Sequence, residues 1–95
     1  MRRYLVERSF PDGLKNSVNH EGGAICRMIE LNNAEGMTWI HSYISDDGTK
    51  SYCICDAPSP EAIRRASRRN NLPVDRITDV SILDPYFLSL VAVKP

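Results

Sequence analysis

The sequence is poor in aromatic side chains and poorer in imidazole. Phe, Trp and Tyr together make up 7 % of it, with a single tryptophan, and there are two histidines. A centre built on histidine can therefore draw only on His20 and His41. Charge of one sign is also missing, because 12 Lys+Arg balance 12 Asp+Glu for a formal net charge of +0. No whole-molecule basic field is available to attract a polyanion, which argues against general nucleic-acid binding. Long apolar runs are absent as well. The longest, Phe87 to Val93, contains Ser89 and is far too short to span a bilayer. Met1-Arg2-Arg3 leads directly into Tyr4-Leu5-Val6-Glu7, with no apolar signal core behind the charges. These features predict a cytoplasmic protein that engages no membrane. Cysteine is sparse and odd in number, at three, so no disulfide framework is expected.

What is present is ordinary globular material. The chain of 95 residues is 42 % apolar and 25 % charged, which suits one folded domain, residues 1–95. Folding at this size buries roughly 60–70 % of the surface that the unfolded chain exposes. The core is thin, and self-association would add to it.

Residues 3–10 read as a first strand, stopped by the turn signal Pro11-Asp12-Gly13. Ala24, Ile25, Met28, Ile29 and Leu31 fall at near-helical spacing and predict a helix from near Asn19 to about Asn33. Thr38 to Ile44 and Lys50 to Cys55 read as two strands joined through Ser45-Asp46-Asp47-Gly48-Thr49, a hairpin signal. Ser59-Pro60-Glu61 has the order of a helix start: serine as N-cap, proline at the first position, an acid in the first turn. That helix runs to about Asn70, with Ala62, Ile63 and Ala66 as its buried stripe. Arg76 to Leu83 is a fourth strand, and Tyr86 to Val93 a short fifth. The order β-α-β-β-α-β predicts an α+β, ferredoxin-like domain. Its antiparallel sheet carries both helices on one face, with a core over 3–85 and an apolar C-terminal extension over 86–95.

Two helices leave the other sheet face open. The open face and the apolar extension predict a homodimer of the dimeric α/β-barrel type, with sheet face against sheet face. The hairpin register decides what shares a face. A two-residue turn at Asp47-Gly48 sets Ser42 opposite Cys53. A three-residue loop sets His41 opposite Cys53. Hydrophobic segregation favours the second, which collects Ile40, Ile44, Tyr52 and Ile54 on one side. It collects Trp39, His41, Tyr43, Ser51, Cys53 and Cys55 on the other. Glu7, facing away from Val6 and Arg8, is a candidate to join this cluster. His41, Cys53, Glu7 and Cys55 are thus the candidate metal ligands, with Trp39 and Tyr43 as pocket or interface residues. Imidazole, thiolate and carboxylate are ligand types suited to nickel, zinc or copper. The Cys53-Ile54-Cys55 spacing belongs to no stringent metal motif, and the two thiols serve equally well as small buried hydrophobes.

Several segments resemble one family. They are Tyr4-Leu5-Val6-Glu7-Arg8, Trp39-Ile40-His41-Ser42-Tyr43, Tyr52-Cys53, Ala57-Pro58-Ser59-Pro60-Glu61-Ala62-Ile63 and Leu72-Pro73-Val74-Asp75-Arg76. Over about residues 3–85 the chain looks like a small bacterial ferredoxin-like family that carries the name nickel-binding protein. The resemblance implies a dimer that holds a nickel ion at its surface for sequestration, without catalysis. Tyr52-Cys53 matches the family's third strand. Nickel-binding members tend to carry a histidine on the first strand and another after the second helix. Here those places read Glu7-Arg8 and Asn70-Asn71-Leu72, and His41 on the second strand stands in their stead.

Two other classes compete. A dimeric α/β-barrel enzyme or small-molecule binder would use a pocket between sheet and helices near Trp39, His41 and Tyr43, but one histidine without an acid partner is thin support for acid–base chemistry. A nucleic-acid module would use the stripe Arg64, Arg65, Arg68 and Arg69. That stripe reads instead as a solvated face balanced by Glu61 and Asp75, since the sheet lacks the aromatics of ferredoxin-like RNA binders.

Overall fold

The computed structural model describes residues 2–14 and 22–86. Strand β1 (Arg2–Ser9) shows the alternation that a half-covered sheet imposes: Tyr4, Val6 and Arg8 are buried, and the residues between them are half-buried. Helix α1 (Gly22–Ala34), strands β2 (Thr38–Ile44) and β3 (Lys50–Ala57), helix α2 (Pro60–Arg69) and strand β4 (Arg76–Val80) follow. The sheet is antiparallel throughout, in the order β2-β3-β1-β4. The chain is therefore α+β, with a four-stranded sheet and two helices, as a ferredoxin-like reading expects.

Helix α2 forms for the reasons its sequence suggests. The Ser59 side chain accepts a hydrogen bond from the Ala62 amide at 3.2 Å, and Pro60 takes the first helical position. Glu61 and the pair Arg68 and Arg69 complement the helix dipole at its two ends. Ala62, Ile63, Ala66 and Ser67 face inward, and the first three pack with no exposed surface. Ile63 and Ala66 join Tyr4, Val6, Met37, Cys55 and Ala57 in the core. Burying one side chain of the size of Ile63 is worth about 1.5–3 kcal/mol.

Helix α1 closes at Gly36, which takes φ +73 and so a conformation that glycine tolerates best. The Asn32 carbonyl accepts from the Glu35 and Met37 amides. The side chain of Asn32 is buried, and its Oδ1 accepts from Asn70 Nδ2 at 3.2 Å, tying the two helices together. Ile29, expected on the inner stripe, is 42 % exposed.

Several boundaries differ from expectation. Strand β3 continues two residues past Cys55, because Asp56 and Ala57 still pair with Arg3 and Arg2. Strand β4 ends at Val80, opposite Arg3 of β1, and not at Leu83. Ile82 and Leu83 lie outside the sheet, 72 % and 77 % exposed. Of the expected fifth strand, Tyr86 to Val93, only Tyr86 is among the described residues, and it is helical; the rest lies outside them, as does the expected start of the first helix near Asn19. Among the described residues no helix is long and apolar enough to cross a membrane.

Candidate functional site

The β2–β3 hairpin departs from the favoured register. Ser45 and Lys50 close a four-residue loop, with the Ser45 amide donating to the Lys50 carbonyl at 2.9 Å and Gly48 at φ +73. Asp47 organises the loop. Its Oδ1 accepts from the Thr49 hydroxyl (2.7 Å), the Ser45 hydroxyl (2.8 Å) and the Thr49 amide (3.0 Å). Those bonds, the Thr49 hydroxyl foremost, pull the carboxyl down to about 2. A four-residue loop preserves the register of a two-residue turn, so Ser42 pairs with Cys53 and His41 with Ile54. At Ile40 the strand bulges, and beyond it Trp39 pairs with Cys55. The three-residue reading thus holds at Trp39 and fails from His41 to Ile44.

The bulge sorts the candidate residues onto two faces. Trp39, Ser42 and Ile44 share the helix-covered side with Cys53, Cys55 and Arg8. His41 and Tyr43 lie on the open side, with Tyr52 and Ile54 of β3 and Glu7 of β1. His41 is exposed, and its ring meets Tyr43 edge to face at 5.2 Å and 87°. Tyr43 is 63 % exposed. Cys55 is fully buried, and burial, helped by the neighbouring Cys53, pushes its thiol up to about 11. Cys53 is half-buried, 3.8 Å from the Ser51 hydroxyl. His41 and Glu7 are therefore on one face, and both thiols on the other. Among the described residues no three His, Cys, Asp or Glu side chains come together as a metal-holding group. The donors among the described residues do not fit a nickel ion within one chain.

The open face carries a second polar feature. Arg3 grips Asp56 with two bonds of 2.9 and 3.1 Å, which lowers the Asp56 carboxyl below its usual range. The basic stripe on α2 is balanced by Glu35, which takes Arg65 at 2.7 Å and Arg69 at 3.3 Å. The Arg65 bond leads in holding the Glu35 carboxyl low. Glu35 takes the role expected of Glu61 and Asp75; the Asp75 carboxylate instead accepts from the Ser9 hydroxyl.

The helix-covered side holds a cavity of ≈ 130 Å³. Trp39 forms part of its wall, fixed by the indole N–H donating to Ser42 Oγ at 2.8 Å. A smaller cavity of ≈ 50 Å³ shares Arg8, Met28, Trp39, Cys53 and Leu72 with it. The pocket expected near Trp39, His41 and Tyr43 thus keeps Trp39 and loses the other two to the open face. Arg8, 5 % exposed, was not singled out from the sequence. The signal was present in the alternation Tyr4, Val6, Arg8, which puts the arginine on the helix side.

No curated protein matches the chain. Its fold is similar to that in the crystal structure of SCO4226 from Streptomyces coelicolor A3(2), with a TM-score of 0.59 over 86 % of this chain and 99 % of that one. The two are 15 % identical, so the likeness speaks for the fold. The model of the family described as nickel responsive protein SCO4226-like matches residues 4–80, and the chain belongs to that family.

Proposed function

We propose that the protein is a non-catalytic, nickel-binding homodimer suited to sequestering the metal. Two open sheet faces pack together as in a dimeric α/β barrel. The observation that carries this reading is the placement of His41. It is an exposed imidazole, stacked edge-on against an exposed tyrosine, on the sheet face opposite α1 and α2. Family membership supports the choice of nickel. The described residues of one chain gather too few donors, so the metal is shared, with His41 and Glu7 contributed by both chains across the interface. Cys53 and Cys55 stay on the covered side and serve packing.

The test is isothermal titration of the reduced protein with Ni²⁺, Zn²⁺ and Co²⁺, repeated on His41→Ala and Cys53→Ser. The expected result is micromolar or tighter Ni²⁺ binding that His41→Ala abolishes and Cys53→Ser leaves intact. Absence of Ni²⁺ binding overturns the reading. Loss of binding in Cys53→Ser with retention in His41→Ala would move the site to the other face.

A further inference from the structure

Helix α1 is docked more loosely than α2. Among its described side chains only Asn32 is buried; Met28 and Leu31 are half-buried, and Ile29 is 42 % exposed. Helix α2 instead buries Ala62, Ile63 and Ala66 without exposed surface. A helix whose apolar stripe is only half-covered leaves room beneath it. That room is the ≈ 130 Å³ cavity, walled by Met28 of α1, Trp39 and Ile44 of β2, Cys53 of β3, and Phe10 and Leu72. Protein interiors are close-packed, and side chains that line a gap forfeit their contacts across it.

The cavity offers almost nothing to a polar guest. The polar side chains on its border are engaged elsewhere. Arg8 Nη1 donates to Ser67 Oγ and to the Pro73 carbonyl, and its Nε is enclosed. Ser42 Oγ takes the Trp39 indole N–H at 2.8 Å. A charged or strongly hydrated guest would lose its water shell there and gain no hydrogen bond. Water itself needs polar partners, so a cavity without them stays dry. Size sets the other limit. An apolar cavity of about 150 Å³ accepts a molecule such as benzene, whereas drug-sized ligands and cofactors need roughly 300 Å³ or more.

We infer that this cavity binds a neutral, apolar small molecule of about six carbons, held against Trp39 and Phe10, which completes the packing beneath α1. The guest needs no polar anchor, because leaving water is what drives it in. The site lies on the helix-covered side, so it is separate from the face assigned to nickel and stands whether or not metal binds. Trp39 is the single tryptophan, so its fluorescence reports on the cavity without a label.

The experiment titrates the metal-free native protein with benzene and with phenol, and follows Trp39 emission excited at the red edge of the indole band, where neither probe absorbs. Benzene is expected to give a saturable change with millimolar or tighter Kd. Phenol, whose hydroxyl would meet no partner, is expected to bind at least about tenfold more weakly. Cys53→Phe puts a ring into the cavity from its own wall, and is expected to weaken benzene at least about tenfold. A response to benzene that does not saturate up to about 10 mM overturns the inference, as does phenol binding as tightly as benzene. Unchanged benzene affinity in Cys53→Phe overturns it too. If that variant does not fold, the ratio of benzene to phenol on the native chain decides alone.

Discussion

The three cysteines differ sharply in their reach to solvent, and that difference tests which face each occupies. Cys26 is exposed, Cys53 is half-buried and Cys55 is buried. Burial raises the Cys55 thiol from an ordinary 9.0 to about 11. Only the thiolate attacks a disulfide reagent. At pH 8 a thiol at 11 is ionised about one part in a thousand, against about one in ten for an ordinary one, so ionisation alone slows Cys55 by about a hundredfold. Burial slows it further, because reagent must wait for the structure to open. The assay is pulsed labelling of the reduced native protein with a chromogenic disulfide, with the labelled peptides identified by mass. Cys26 should label first and Cys55 last, at least about a hundredfold behind. The Cys55 rate should also keep climbing with pH past 9.0 towards about 11. Labelling of Cys55 within a few-fold of Cys26 would refute the assignment of that thiol to the covered face. It would also restore Cys55 as a candidate ligand.

Other perturbations follow from the same packing. Ile63→Ala, at a fully buried position, should cost about 2–5 kcal/mol in urea unfolding, a large share of the stability of so small a domain. Ser59→Ala removes the N-cap of α2 and should cost about 0.5–2 kcal/mol by the same measurement. Gly48→Ala forces a side chain into a φ of +73, and although the nearest atom leaves room, the backbone penalty should be about 1–2 kcal/mol. Asp47 is held near 2 when folded and 3.8 otherwise, so its contribution is in place above about 4 and fades as pH falls towards 2. Asp47→Ala should therefore flatten the acid limb of urea midpoints between those values, and an unchanged limb would contradict the loop geometry.

The elements were legible because each carried its own local signal. Ser59-Pro60-Glu61 announced α2 to the residue, since capping depends on neighbours alone. The alternation in β1 reported a covered and an open face for the same reason. The faces of β2 were not legible, because two departures from a regular hairpin intervene. Asp47 draws three donors into a four-residue loop, and the bulge at Ile40 then shifts the register by one residue. Hydrophobic segregation assumed a regular strand and so placed His41 beside Cys53. Trp39 was placed on the thiol side correctly, since the bulge returns it there. The metal reading from residue types survived only as a family relation, because type says nothing about which side of a sheet a donor occupies. That Arg8 meets no acid among the described residues needed the structure, as an arginine on a strand gives no sign of whether an acid will meet it.

Sedimentation of the reduced protein at micromolar concentration, with and without Ni²⁺, tests the nickel-sharing dimer most directly. The account predicts a mass of two chains, with Ni²⁺ co-sedimenting with the native protein and not with His41→Ala. A mass of one chain in the presence of Ni²⁺, or metal that co-sediments undiminished with His41→Ala, would contradict it.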